Sequence, residues 1–196
     1  MKLYVNRPSP YGRKALVAAI ESGQSSKLEV IQVDPWTEDP EFLAVVPAGR
    51  VPALQLNGSV LLESTAIALA LMEMGGRHAP GSKERHDELV RTGLAQALID
   101  AAYNTVIERR RPAELQWSKW GDRQQTAIAR MLAACPTPAA ERFDVGDISL
   151  ACALGYMDFR LPEIDWRKAR PELAKWFGRI AELPSMTATD PRTGGK

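Results

Sequence analysis

The stretch Arg50-Val-Pro-Ala-Leu-Gln-Leu-Asn-Gly-Ser-Val-Leu-Leu-Glu-Ser-Thr65 decides the fold. Asn57-Gly58 is the strongest short hairpin signal, because both residues accept the positive φ that a tight two-residue turn demands. Ala53 to Leu56 and Val60 to Leu62 flank it, so two antiparallel strands are expected there. Glu63-Ser64 then opens an apolar run that reads as a helix from Ser64 to about Met74. Toward the amino terminus, Leu3-Tyr4-Val5 is a short β-prone run ended by Asn6-Arg7-Pro8-Ser9-Pro10. Ala15, Leu16, Ala18, Ala19 and Ile20 then form a helical apolar face that stops at Gly23. Leu28 to Val33 reads as a strand and Glu38 to Val46 as a helix. Residues 1–75 therefore spell βαβαββα, a mixed four-stranded sheet with three helices.

Beyond Met74 the pattern changes. Gly75-Gly-Arg-His-Ala-Pro-Gly-Ser82 is rich in Gly and Pro and has no periodicity, which marks residues 76–82 as a linker. Helical patterns follow over Lys83–Arg110, Gln116–Ala134, Asp147–Phe159 and Pro171–Leu183, with no convincing strand. The fold class is α/β plus all-α, with a helical bundle domain over 83–196 and Thr187 to Lys196 expected as a mobile tail. Asp144-Val-Gly-Asp147 places one carboxylate at a helix N-cap and another in its first turn, where both favour the helix's positive end. Of the five tryptophans, Trp117, Trp120, Trp166 and Trp176 are expected to pack rather than to serve a site.

The 196 residues are 45% apolar and 25% charged, enough for a sizeable core. Twenty-five Lys and Arg against 24 Asp and Glu leave +1, without the basic excess on which nucleic-acid binding rests. Glu108-Arg-Arg-Arg111 is the one basic run and reads as a solvated helix end before Pro112. Cys135 and Cys152 fit neither a dithiol motif nor a zinc site, so no metal is expected and the compartment is read as reducing. With no apolar stretch long enough for a signal peptide or a membrane span, a cytoplasmic protein is expected. His78 and His86, one in the linker and one on a charged helix start, read as exposed, which leaves a Ser-His triad without its base.

What remains is chemistry around the small sheet. Ser9-Pro10 puts a hydroxyl at an N-cap and a proline at N1, where its missing N–H costs nothing. Val51-Pro52 precedes an edge-like strand, and its bond could be cis. The free N–H groups at the start of the third helix could receive a carboxylate, and Glu63 an ammonium group.

At these residues the chain resembles the glutathione transferase family. Ser9-Pro-Tyr-Gly-Arg-Lys14, Pro47-Ala-Gly-Arg-Val-Pro-Ala-Leu54 and Leu62-Glu-Ser-Thr-Ala-Ile67 look like its thioredoxin-like domain read in order. Asp144-Val-Gly-Asp147 resembles the capping box of its helical domain, and Ala151 to Arg160 is most like small bacterial members. The resemblance implies a cytoplasmic detoxification enzyme, a homodimer, that binds reduced glutathione and activates its thiol toward a small hydrophobic electrophile. It also admits peroxide reduction by bound glutathione, and a non-catalytic member that binds glutathione or a protein partner.

Carried over residue by residue, it implies that Val51, before a cis Pro52, offers its backbone to the cysteinyl part of glutathione. Glu63 and Ser64 would hold the γ-glutamyl end, and Ser9 would donate to the sulfur. Ser9 is equally an ordinary N-cap, and Tyr4 and Tyr11 are rival hydroxyls. Arg50 pairs with the glycyl carboxylate or is merely solvated, and Arg13 favours a thiolate or lies on an exposed helix face. Asp100 resembles the acidic residue brought across a dimer interface, to which the apolar stretch Leu94–Ile99 would contribute. Tyr11, Tyr103 and Arg110 are candidates for the electrophile pocket.

Overall fold

The computed structural model describes residues 1–77, 83–139 and 143–193. Of the expected linker, residues 78–82 lie outside the described residues, and so does His78. The strands β1 (Lys2–Val5), β2 (Glu29–Gln32), β3 (Ala53–Leu56) and β4 (Ser59–Leu62) form one sheet in the order β2-β1-β3-β4. The helix α1 (Pro10–Glu21) carries the chain from β1 to β2, and a crossover of that length makes the pair parallel. β3 and β4 are joined by Asn57 and Gly58 at φ 50° and 79°, the left-handed turn that the sequence predicts.

Strand side chains alternate between faces, and the two faces bury different partners. Leu3, Val5 and Leu54 pack against Ala15 and Ala19 of α1 and Ile67 and Leu71 of α3 (Ser64–Met74). Tyr4 and Ala53 point the other way, onto Phe42 and Val46 at α2 (Pro40–Val45). α1 and α3 end so close together that a Cβ on Gly75 would lie 2.3 Å from the Ser22 carbonyl oxygen, which is why glycine closes α3. This is the four-stranded mixed sheet with three helices expected from the pattern of turns.

The chain divides into two compact units, Met1–Gly81 with Pro184–Lys196, and Ser82–Leu183. The second is helical: α4 (Lys83–Arg109), α5 (Ser118–Ala134), α6 (Val145–Arg160), α7 (Trp166–Ala169) and α8 (Pro171–Ile180). α6 is buried from Val145 to Met157 and packs on α4. Asp144 caps it by accepting from the Asp147 N–H at 3.1 Å, as its spacing predicts. Arg91 of α4 bridges both carboxylates, with 2.7 Å contacts to each.

Several expectations change. The mobile tail is instead structured as far as it is described: α9 (Pro184–Ala188) buries Ser185 and Met186 against α1. Arg13 is not on an exposed face but is 7% exposed, donating to the Met186 carbonyl at 2.9 Å and to Thr189 Oγ1 at 3.3 Å. Trp166 and Trp176 pack as expected, whereas Trp117 is 59% exposed because its segment lies on the surface before α5. Within Glu108–Arg111 the arginines are exposed, but Glu108 turns inward to accept from the Trp117 N–H. In the stretch Leu94–Ile99, Ala95, Leu98 and Ile99 are spent on the interior of the helical unit, which removes its weight as an interface signal.

Candidate functional site

Ser9 stands at φ −77° and ψ 124°, extended backbone immediately before α1, and its Oγ accepts from the Gly12 N–H at 3.2 Å. Accepting that bond uses a lone pair and leaves the hydroxyl proton to be donated elsewhere. Pro10 at N1 supplies the φ that starts the helix without wasting a donor. The loop before it is fastened by Asn6, which donates from Nδ2 to the Val33 carbonyl at 2.9 Å, while the Ser9 N–H donates to the Asn6 carbonyl.

Register then places the other candidates. Tyr4 pairs with Ala53, and Ala53 with Leu62, so the carboxyl end of β1, the start of β3 and the end of β4 lie at one end of the sheet. Ser9 follows the first, Val51-Pro52 precedes the second, and Glu63-Ser64 follows the third. The Val51-Pro52 bond is cis, Pro52 is buried, and Arg50 is exposed.

Glu63 sits at φ 74°, a conformation that non-glycine residues hold at a cost of about 1–3 kcal/mol and that gathers at functional sites. Its carboxylate compensates by accepting from the Thr65 N–H at 3.0 Å, the Ala66 N–H at 3.1 Å and the Ser64 hydroxyl at 3.3 Å. The amides of Thr65 and Ala66, expected free, are therefore already engaged. Ser64 is buried, and the exposed Glu63 carboxylate has acceptor capacity toward solvent.

The family model for the glutathione S-transferase N-terminal domain matches residues 8–74, and that for the C-terminal domain matches residues 99–179. The chain belongs to the glutathione S-transferase family. A family member from Pseudomonas fluorescens Pf-5, solved with bound glutathione, is 35% identical over 97% of this chain and 98% of its own, with a TM-score of 0.88. A glutathione S-transferase from Methylobacterium radiotolerans, solved with glutathione sulfonate, is 27% identical over 100% of this chain and 96% of its own, with a TM-score of 0.87. The GST-like protein YibF of Escherichia coli K12, itself uncharacterized, is 29% identical over 97% of this chain and 98% of its own length.

Within this glutathione S-transferase fold the rival hydroxyls are placed differently. Tyr4 faces α2 and donates to Gln55 Oε1 at 3.4 Å, on the opposite face of the sheet from Val5 and α1. Tyr11 is half-buried in the first turn of α1. Asp100, half-buried on α4, accepts from Gln96 Nε2 at 2.8 Å. Tyr103 and Arg110 are brought near Tyr156 and Arg160, two residues that sequence reasoning passed over. Burial pushes the Tyr156 phenol up to about 12, against the opposing pull of Arg160 and Arg110 and with a push from Tyr103.

Asn6 was missed as part of this region, and the burial of Arg13 and Lys14 was not foreseen. Asn6 carries a legible signal, a lone amide directly after a strand, whereas the burial of two adjacent cations on α1 has no local one. A broad open depression of about 520 Å³ lies at the opposite end of the sheet, bordered by Met1, Lys2, Glu29 and Gly58. Ser26 and Lys27 also border it, and none of the candidate residues Ser9, Arg50, Val51, Pro52, Glu63 and Ser64 does.

Proposed function

We propose that the protein binds reduced glutathione in its amino-terminal domain, residues 1–75, and activates the thiol for attack on a small hydrophobic electrophile. The observation that carries this reading is the convergence of Ser9, Val51-Pro52 and Glu63-Ser64 at one end of the sheet. The glutathione and the S-(propanoic acid)-glutathione held by structures of the Pseudomonas fluorescens relative support it. Val51 offers its main-chain N–H and C=O to the cysteinyl residue, Glu63 takes the γ-glutamyl ammonium, and Ser64 takes the carboxylate at the start of α3. Arg50, exposed beside them, pairs with the glycyl carboxylate.

The chemistry follows from the sulfur. A free thiol of pKa about 8.5 is only a few per cent ionised at pH 7, and each unit of lowering requires about 1.36 kcal/mol of preferential thiolate stabilisation. A hydrogen bond donated by Ser9, together with the positive end of α1, supplies one to two such units, roughly. The thiol proton leaves to solvent, the sulfur lone pair forms the bond to the electrophilic carbon, and the leaving group departs with its electron pair. The electrophile is assigned to the helical domain, with Tyr103 and Arg110 beside it. The active species is a homodimer in which Asp100 reaches toward the other subunit's glutathione.

Titration of glutathione alongside conjugation of an activated aryl halide tests the reading. Ser9→Ala is expected to lower turnover by about ten- to several-hundredfold while glutathione affinity changes little, because one hydrogen bond to a charged sulfur is worth about 1.5–3 kcal/mol. Unchanged turnover removes Ser9 from the mechanism. Tight glutathione binding without turnover across a panel of electrophiles and a peroxide would instead make the protein a binder.

A further inference from the structure

Lys14 is completely buried, yet it lies on α1 five residues beyond the Ser9 cap and is among the largest fully buried side chains of the chain. Its Nζ donates to Thr65 Oγ1, 3.1 Å away, in the first turn of α3. Thr65 in turn donates its own N–H to the Glu63 carboxylate, which also holds Ala66 and Ser64. One chain of hydrogen bonds thus runs from the interior of α1 through Thr65 to the left-handed residue that opens α3. Burying an ammonium is costly, and replacing a buried charge together with its partners by well-packed apolar side chains is often neutral or stabilising. Stability of the fold is therefore a poor account of a lysine at this position.

We propose that Lys14 is a positioning residue for ligand binding: through Thr65 it fixes the Glu63–Ser64 turn so that the start of α3 meets the γ-glutamyl end of glutathione in one orientation. The proposal rests on the glutathione-binding reading above. Glu63 at φ 74° occupies a sparsely populated region that persists only where its surroundings over-determine it. Thr65, tethered at its hydroxyl by α1 and at its amide by Glu63, is the residue that transmits that constraint. The linkage also couples the helix that presents Ser9 to the helix that presents Ser64, so both ends of the tripeptide meet parts of one framework.

The test is calorimetric titration of reduced glutathione into the full chain and into Lys14→Met, Thr65→Val, their double variant and Thr65→Ser, with thermal unfolding of each. Lys14→Met and Thr65→Val are each expected to weaken glutathione by about tenfold, the size of one lost hydrogen bond to a charged group. The double variant should be no weaker than Lys14→Met alone, since both break the same link. Thr65→Ser, which keeps the hydroxyl, should restore affinity to near that of the parent, a rescue that a purely structural role would not give. If the parent binds and Thr65→Val or a folded Lys14→Met binds equally well, the positioning role is overturned and the glutathione site stands. If the parent itself binds no glutathione, the site and the positioning role fall together.

Discussion

At the scale of the residue, the two adjacent cations on α1 do different work despite their neighbouring places in the sequence. Lys14 turns toward α3, while Arg13 turns toward the last helix and gives two hydrogen bonds to the Met186 carbonyl and Thr189. A second tie between the same elements runs from the Ser185 hydroxyl to Glu21 Oε1, at 2.5 Å. Because hydrogen bonds from a charged donor contribute about 1.5–3 kcal/mol, Arg13→Ala should lower unfolding stability by about 2 kcal/mol. It should also expose the segment from Pro184 onward to proteolysis before the rest of the chain. Limited trypsinolysis with intact-mass readout checks both order and site, and uniform resistance of that segment would show that the apolar contacts of Met186 hold it without Arg13.

At the scale of the element, the join between α4 and α6 concentrates charge where a helix begins. Glu88 accepts from the Val145 N–H at 3.0 Å, Asp144 and Asp147 form the reciprocal cap, and Arg91 lies across both carboxylates. Burial works against the Arg91 charge, but the hydrogen bond and charge of Asp144, then Asp147 and Glu88, hold its pKa above the ordinary arginine value. Removing one member of such a set leaves the others buried and uncompensated, so Arg91→Ala should cost about 3 kcal/mol in a urea titration. A loss well under 1 kcal/mol would mean that water replaces the guanidinium without penalty.

The cap itself was legible as Asp-Val-Gly-Asp, for the same reason that the Asn57-Gly58 hairpin and the Ser9-Pro10 helix start were: each is written within four residues. Arg91 was not legible, because its partners are 53 and 56 positions away. Arg13 and Lys14 were hidden for the same reason, with partners 173 and 51 positions away, and a cation in a helical pattern reads as solvated unless its partner is known. The candidate residues of the site were readable one by one, but their gathering at one end of the sheet depended on strand register. Register lies in the pairing of β1 with β3 and of β3 with β4, beyond the reach of any single motif.

At the scale of the whole molecule, stability should fail from the alkaline side through groups in the helical unit. Burial pushes the Cys135 thiol from 9.0 up to about 11, against the opposing pull of Arg170, and the Tyr156 phenol from 10.0 up to about 12. Both shifts have the same sign: between its unfolded and folded values, each group has lost its proton in the unfolded chain and kept it in the folded one. Their contribution is therefore fully present below about pH 9 and declines as pH rises to about 12, by on the order of 2 kcal/mol for each group. Urea midpoints measured across that range should fall steeply for the parent chain. Tyr156→Phe should flatten the slope between pH 10 and 12 and Cys135→Ala that between pH 9 and 11, whatever each substitution does to stability at neutral pH. Other titrating groups contribute equally to parent and variant, so the difference in slope isolates the two buried ones. Parallel slopes in all three proteins would assign the alkaline loss to other residues.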